Sequence, residues 1–162
     1  PNEEGPREMT MICGIDVGKT GAIALYYVSY GKNNLDIYDM PVLDDGGING
    51  AEIAALFREF RPEHVLYEKV NSFGMGRQSA FVFGQGVGVL EGVLATMMIP
   101  SGTVTPAKWK KHFSLGKDKG AARAAATRLF PRKAEMFKRV KDHGRAEAAL
   151  IALHQQQIGV VR

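Results

Sequence analysis

Three carboxylates stand at places in the sequence where each could hold a metal ion. Asp16 follows the apolar run MICGI, and Gly18 after it leaves the backbone open to a ligand. Glu68 ends the apolar run HVLYE, where burying an unpaired carboxylate would be costly. Glu147 lies near the start of an Ala- and Leu-rich helical segment, and His143, four residues earlier, shares its helix face. Because hard cations prefer oxygen ligands, these residues predict a Mg²⁺ site in which Mn²⁺ would substitute.

Two-metal phosphodiester hydrolysis is the chemistry that such a set of acids would support. The two ions lie about 3.5–4 Å apart and share a bridging carboxylate; one activates water and the other stabilises the leaving 3′-oxygen. Each acid also has a structural alternative. Asp16 could be a buried strand-end carboxylate, Glu68 a solvated rim residue, and Glu147 a solvated residue behind a helix capped by Asp142 and His143. The combination of the three is more specific than any one of them.

A glycine-rich segment beside Asp16 resembles a phosphate-binding P-loop. Gly14, Gly18, Lys19 and Thr20 have the right residue types, but three residues separate the two glycines where that motif requires four. The loop would be one residue too short to surround a phosphate. We therefore reject a P-loop nucleotide site here.

The elements that would position these acids follow the order βββ-α-β-α-β-α-α-α. Three apolar segments joined by short turns predict an antiparallel meander, β1-β2-β3, at the start of the chain. Asn49-Gly50 opens the first helix, and EHVLYEKV then predicts a fourth, central strand. SGTV predicts the fifth strand, followed by a helix with Thr105 as N-cap and Pro106 at its first position. The sequence thus predicts an α/β fold with a mixed five-stranded sheet flanked by helices.

A long helix is predicted from Gly74 to about Met98, despite its glycines. Gly84, Gly88 and Gly92 form a stripe of small residues at intervals of four, which would let another backbone approach closely. Two interpretations remain open for this stripe: tight packing on the protein's own sheet, or the interface of a homodimer.

Composition limits the class of protein. The 162 residues, 45% of them hydrophobic, suffice for one domain, predicted over 9–162, and residues 1–8 are expected to be a disordered arm or a cloning remnant. PNEEGPRE lacks the apolar core of a secretory signal, and no window was expected to reach the apolar length of a membrane span. The single Cys13 fits a reducing compartment, so we expect a cytoplasmic protein. We also expect no membrane contact and no organic cofactor.

Positive charge is concentrated in one segment. Residues 105–145 hold thirteen Lys/Arg against three acids, whereas the whole chain has a net charge of +4. Such a basic segment on an otherwise acidic chain indicates a polyanionic partner, most commonly nucleic acid. A solvated helical surface is the alternative.

Taken in order, the motifs resemble those of the RuvC-type Holliday junction resolvases of the RNase H-like superfamily. The resembling segments run from about Met11 to the last helix: GIDVGKTGA, VLYEKV, FVFGQGVGVLEGVL, TPAKWKK and HGRAEAALIA. NSFGMGRQSAF, TPAKWKKHF, LFP and DHGRAEAALIA are most similar to the branch with plant chloroplast and phage resolvases. The resemblance implies an RNase H-like fold and an endonuclease that resolves four-way DNA junctions by paired symmetric nicks, leaving 5′-phosphate and 3′-hydroxyl ends.

The resemblance also assigns roles. Asp16, Glu68 and Glu147 match the metal-binding acids, and the family's fourth acid falls on Gly144, so His143 is assigned the fourth role, with Asp142 as its alternative. Lys119 matches a catalytic lysine near the scissile phosphate, and Phe73 a residue that wedges into the junction. The full set of expected DNA-binding residues is Phe73, Arg77, Lys108, Lys110, Lys111, Lys117, Lys119 and Arg123.

Three other functions share part of this sequence pattern. A sugar-kinase or actin-like ATPase also opens with Asp-x-Gly-x-Thr, but it needs a second similar domain that 162 residues cannot supply. A junction-binding module without catalysis would not need the intact acid set. A nuclease acting on other branched DNA or on RNA–DNA hybrids shares the metal chemistry and remains an alternative.

Overall fold

The sequence order of elements is confirmed by a computed structural model, which describes residues 10–29, 33–69, 74–116, 118 and 120–159. The strands are β1 (Thr10–Asp16), β2 (Ala22–Val28), β3 (Asn34–Asp39), β4 (His64–Glu68) and β5 (Ser101–Val104). The α-helices are α1 (Gly50–Phe60), α2 (Arg77–Thr96), α3 (Pro106–His112), α4 (Ala121–Leu129) and α5 (His143–Ile158). Two 3₁₀ segments, Pro131–Phe137 and Val140–Asp142, connect α4 to α5.

The predicted mixed sheet is present, with strand order β3-β2-β1-β4-β5. β1, β2 and β3 form the expected antiparallel meander, while β4 pairs in parallel with β1 on one side and β5 on the other. β1 is therefore central, and five of its seven residues are buried. A strand covered on both faces must carry apolar side chains in both directions, which explains the unbroken run MICGI.

Helices cover both faces of the sheet and create two hydrophobic cores. On one face α1 and α2 pack against the odd-numbered residues of β1, with Phe57, Leu90 and Leu94 almost fully buried. On the other face α3, α4 and α5 pack around Trp109 and Phe137. The two cores confirm the predicted arrangement of a sheet flanked by helices.

α5 is seated directly on β1 because neither element presents a bulky side chain at the contact. A Cβ added to Gly14 would lie 2.3 Å from the carbonyl oxygen of Ala148 and 2.3 Å from the backbone nitrogen of Ala152. Glycine is therefore required at position 14 by the close approach of the two backbones. This contact fixes the height of α5 over the carboxyl end of β1, where the candidate site lies.

Helix α2 turns its glycine stripe away from the protein. A Cβ at Gly84, Gly88 or Gly92 would meet no atom of the described residues within 4 Å. All five strands lie among those residues, so packing of the stripe on the protein's own sheet is excluded. The helix is also shorter than predicted, because Gly76 before it is extended and Met98 after it has φ 53°.

By length and composition alone, α2 also qualifies as a membrane-crossing helix. An 18-residue window within α2 has a mean hydropathy of 1.3, and 17% of that window is buried. The expectation that no window would qualify is therefore wrong. A single helix of this kind is weak evidence for a membrane.

Candidate metal centre

The parallel pairing of β1 with β4 places the first two acids side by side. Ile15 pairs with Tyr67, so the next residues, Asp16 and Glu68, end adjacent strands at the same edge of the sheet. Glu147 lies in the first turns of α5, which packs over that edge. One carboxylate oxygen from each acid lies within 4.8 Å of the others. The structure therefore brings the three predicted acids together, as a metal centre requires.

Burial makes this cluster electrostatically unfavourable without a cation. Burial raises the pKa of Asp16 well above its usual range, and Glu147 and Glu68 raise it further, while Lys110 opposes the shift. Burial likewise raises the pKa of Glu68, which is 6% exposed. A donor set made only of carboxylate oxygens, partly open to water, fits a hard divalent cation that keeps several water ligands. Asp16, Glu68 and Glu147 would hold it.

Two consecutive residues of α3 contact the cluster. The indole Nε1–H of Trp109 donates to Oε1 of Glu68 at 2.9 Å. The Nζ of Lys110 lies 3.3 Å from Oε1 of Glu147 and 5.1 Å from the centroid of the Trp109 ring. Sequence reasoning assigned Lys110 to DNA and missed Trp109, because a tryptophan that bonds a buried acid and one that only fills a core have the same sequence pattern.

Neither candidate for the fourth position belongs to the cluster of ligand atoms within 4.8 Å of one another. His143 is the first residue of α5 and is exposed, and it is not among the residues whose ligand atoms lie within 4.8 Å of one another. Asp142 is 2% exposed, but its carboxylate accepts hydrogen bonds from the side chain and backbone of Arg139 at 2.8–3.2 Å. Those bonds hold the pKa of Asp142 below its usual value. The Asp142 oxygens are therefore already occupied by an arginine.

The predicted DNA-binding residues are spread over several elements. Arg77 is exposed at the start of α2, and Lys111 is exposed on α3. Arg123 is half-buried and donates to the carbonyl of Lys138 at 3.1 Å. Lys108 lines a separate cavity of about 290 Å³ between β5 and the end of α5. Phe73, Lys117 and Lys119 lie outside the described residues, so their roles remain predictions.

A groove of about 610 Å³ opens near the carboxyl end of β1, on the face of the sheet that α2 covers. It begins at Val17, the residue after Asp16, and runs between Lys19, the 43–48 segment and the first half of α2. Polar Gln78 and Gln85 and apolar Val82 line it. Asp16, Glu68 and Glu147 are not among the residues that line this groove.

Comparison with known proteins identifies the fold. No protein-family model matches the chain, and no curated protein matches it. Among solved structures, RuvC of T. thermophilus in complex with a Holliday junction substrate superposes with a TM-score of 0.64 at 17% identity, covering 93% of this chain and 97% of that one. The fowlpox virus resolvase with its Holliday junction substrate gives 0.59 at 14% identity, covering 91% and 99%. Yeast mitochondrial Holliday junction resolvase Ydc2 gives 0.52 at 17% identity, covering 94% and 80%. The predicted RNase H-like α/β fold is confirmed.

Proposed function

We propose that this chain is a divalent-metal-dependent endonuclease that resolves four-way DNA junctions. The observation that carries the proposal is the convergence of Asp16, Glu68 and Glu147, within 4.8 Å, at the edge where β1 and β4 end. The similarity in fold to resolvases whose structures contain Holliday junction DNA supports the choice of substrate. The basic 105–145 segment supports a polyanionic ligand independently of that similarity.

The residues of the centre divide the work of phosphodiester hydrolysis. Mg²⁺ bound here would activate the attacking water and stabilise the leaving 3′-oxygen. Asp16, Glu68 and Glu147 hold their oxygens in place for it. Once the Glu147 carboxylate binds the cation, Lys110 would be free to neutralise a phosphate oxygen of the substrate. Lys119 is proposed to do the same from the loop before α4. His143 is proposed as the fourth group, close to the substrate rather than inside the carboxylate cluster.

A homodimer would match the two-fold symmetry of a four-way junction and deliver paired nicks. The outward stripe of Gly84, Gly88 and Gly92 supports α2 as its contact surface, because no atom of the described residues lies within 4 Å of a Cβ placed there. Phe81, on the same helix, is 63% exposed, which is unusual for so large an apolar side chain. Two copies of α2 packed along this stripe would bury both features.

The decisive experiment compares substrates and metals. A labelled synthetic four-way junction, a linear duplex of the same sequence, a flap and an RNA–DNA hybrid are incubated with the protein in Mg²⁺, in Mn²⁺ and in EDTA. We expect paired nicks in the junction with either metal, none in EDTA, and ligatable 5′-phosphate ends. Folded Asp16→Asn protein should bind the junction without cutting it. Cleavage of the hybrid in preference to the junction, or junction cleavage by Asp16→Asn, would overturn the proposal.

A further inference from the structure

The hydrogen bond between Trp109 and Glu68 ties the metal centre to the hydrophobic core. Trp109 is fully buried and is the only tryptophan in the chain. Its indole N–H donates to Oε1 of Glu68, which is itself 6% exposed. Water therefore has little access to either partner and could not readily replace the donor.

We propose that Trp109 is a positioning residue of the metal centre, which orients the Glu68 carboxylate toward the bound cation. This inference rests on the proposed function only in that it assumes a divalent cation among the three acids. One oxygen of Glu68 is held by the indole, which leaves the other oxygen for the metal. A ligand fixed in this way loses less conformational freedom on metal binding than a free carboxylate would.

The surrounding elements hold the indole rigidly. Val104, at the end of β5, pairs with Glu68 in the sheet. The segment that leads from β5 into α3, and so to Trp109, therefore starts beside the acceptor Glu68. The Oγ1 of Thr105 accepts the backbone N–H of Lys108 and so caps α3. The ring of Trp109 packs within the core under α5. The donor is thus positioned by two elements that also frame the centre.

Lys110 extends the same arrangement to a second acid. It pairs with Glu147 through Nζ at 3.3 Å, and its Nζ also lies 5.1 Å from the Trp109 ring. Consecutive side chains of α3 therefore contact two of the three acids. A metal-affinity change caused by Trp109 should act through Glu68 and leave the Lys110–Glu147 pair in place.

The test is metal affinity measured without DNA, by calorimetric titration with Mn²⁺. Trp109→Phe removes the N–H donor, and replacement of Trp109 by 3-benzothienylalanine removes it while keeping the shape of the ring. Both variants should bind Mn²⁺ on the order of 10–100-fold more weakly than the wild type, as is typical when a partner of a metal ligand is lost. Because Trp109 is the only tryptophan, its fluorescence should also change on Mn²⁺ addition to the wild type, and not in Asp16→Asn.

Phe137→Leu provides the matched control. Phe137 is 1% exposed in the same core as Trp109, and no hydrogen bond joins it to the three acids among the described residues. Phe137→Leu should lower thermal stability, because it removes buried apolar volume from the core. Its Mn²⁺ affinity should stay close to that of the wild type. Equal weakening by Phe137→Leu and Trp109→Phe would overturn the inference, as would wild-type affinity in the benzothienyl variant.

The outcome separates this inference from the proposed function. If Mn²⁺ affinity depends on the indole N–H but no junction is cut, the inference stands and the proposed function fails. If junctions are cut and both Trp109 variants bind Mn²⁺ normally, the inference fails alone. A wild-type protein that binds no Mn²⁺ overturns both.

Discussion

Gly144 lies directly against the Asp16 carboxylate. A Cβ at position 144 would stand 3.1 Å from Oδ2 of Asp16, 2.9 Å from the Cα of Gly21 and 2.4 Å from the carbonyl oxygen of Thr20. The first turn of α5 thus contacts the loop after β1 by backbone alone. Position 144 is where the family resemblance places a fourth acid, and no side chain fits there unless backbone moves. Any fourth group must therefore come from a different position.

Gly144→Ala should disrupt both the fold and the metal centre. Because the added methyl group meets backbone atoms, α5 must shift, and overpacking of this kind costs about 1–3 kcal/mol. Urea denaturation and Mn²⁺ titration should both report the loss. Gly116→Ala is the matched control, since a Cβ there meets no atom of the part of the chain that the structure describes within 4 Å. Unchanged Mn²⁺ affinity in Gly144→Ala would contradict the close contact.

Asp16→Asn should abolish cleavage and stabilise the metal-free protein. Burial and the neighbouring Glu147 and Glu68 raise the pKa of Asp16 above the 3.8 of an ordinary aspartate. A carboxyl group whose pKa is raised by folding stabilises the folded state at pH values below about 3.8. This stabilisation is lost as the pH rises through the raised pKa of the folded state. In EDTA, the Tm of Asp16→Asn should therefore exceed that of the wild type by a margin that grows with pH and vanishes in acid. An Asp16→Asn protein whose Tm advantage over the wild type stays constant with pH would contradict this prediction.

Asp142→Asn should behave in the opposite way. Arg139 lowers the pKa of Asp142, so its stabilising contribution is present above the ordinary value of 3.8 and is lost as pH falls through the lowered one. The variant should lower the Tm by a few degrees at neutral pH, because a buried charged hydrogen-bond acceptor is weakened, and the difference should shrink in acid. Glu135→Gln removes an 85%-exposed partner of Lys138 and should leave the Tm unchanged. An equal Tm loss in both variants would exclude a special role for Asp142.

Lys110→Met should separate metal binding from cleavage. Removing the ammonium 3.3 Å from Glu147 takes a positive charge away from the metal centre, so Mn²⁺ affinity should stay the same or rise. Junction cleavage should nevertheless fall at least about ten-fold, because a group that neutralises the phosphate is lost. Lys111→Met, a neighbouring exposed lysine on α3, should weaken DNA binding modestly and reduce its salt dependence. A Lys110→Met protein that loses Mn²⁺ affinity and cleavage together would refute the prediction that Lys110 acts in cleavage and not in metal binding.

Gly88→Leu should dissociate the proposed homodimer. The leucine would project from the middle of the exposed stripe of α2, where two backbones are expected to meet closely. Sedimentation velocity should show a dimer for the wild type and a monomer for the variant at micromolar concentration. Ala55→Leu places the same leucine side chain at an exposed position of α1 and should remain dimeric. A monomeric wild type would remove α2 as the contact surface.

The three acids that could hold a metal ion were accessible from sequence because each has a local signature. Asp16 and Glu68 interrupt apolar runs at strand ends, and Glu147 heads an alanine-rich helix. Burial, alternation and capping are short-range patterns, so the order of elements and the mixed sheet were also predictable. Thr105, for example, caps α3 as its type and the following proline predicted.

The remaining features depend on contacts between residues distant in sequence, which no local pattern encodes. The indole of Trp109 meets Glu68, 41 residues away, only because β5 carries α3 back past the end of β4. The glycine stripe of α2 could have faced either way, and only packing against α1 and the sheet turned it outward. His143 shares a helix face with Glu147 by periodicity, yet it remains outside the carboxylate cluster in the folded chain. The sequence alone determined which residues could bind a metal, and the tertiary structure decided which of them meet and what orients them.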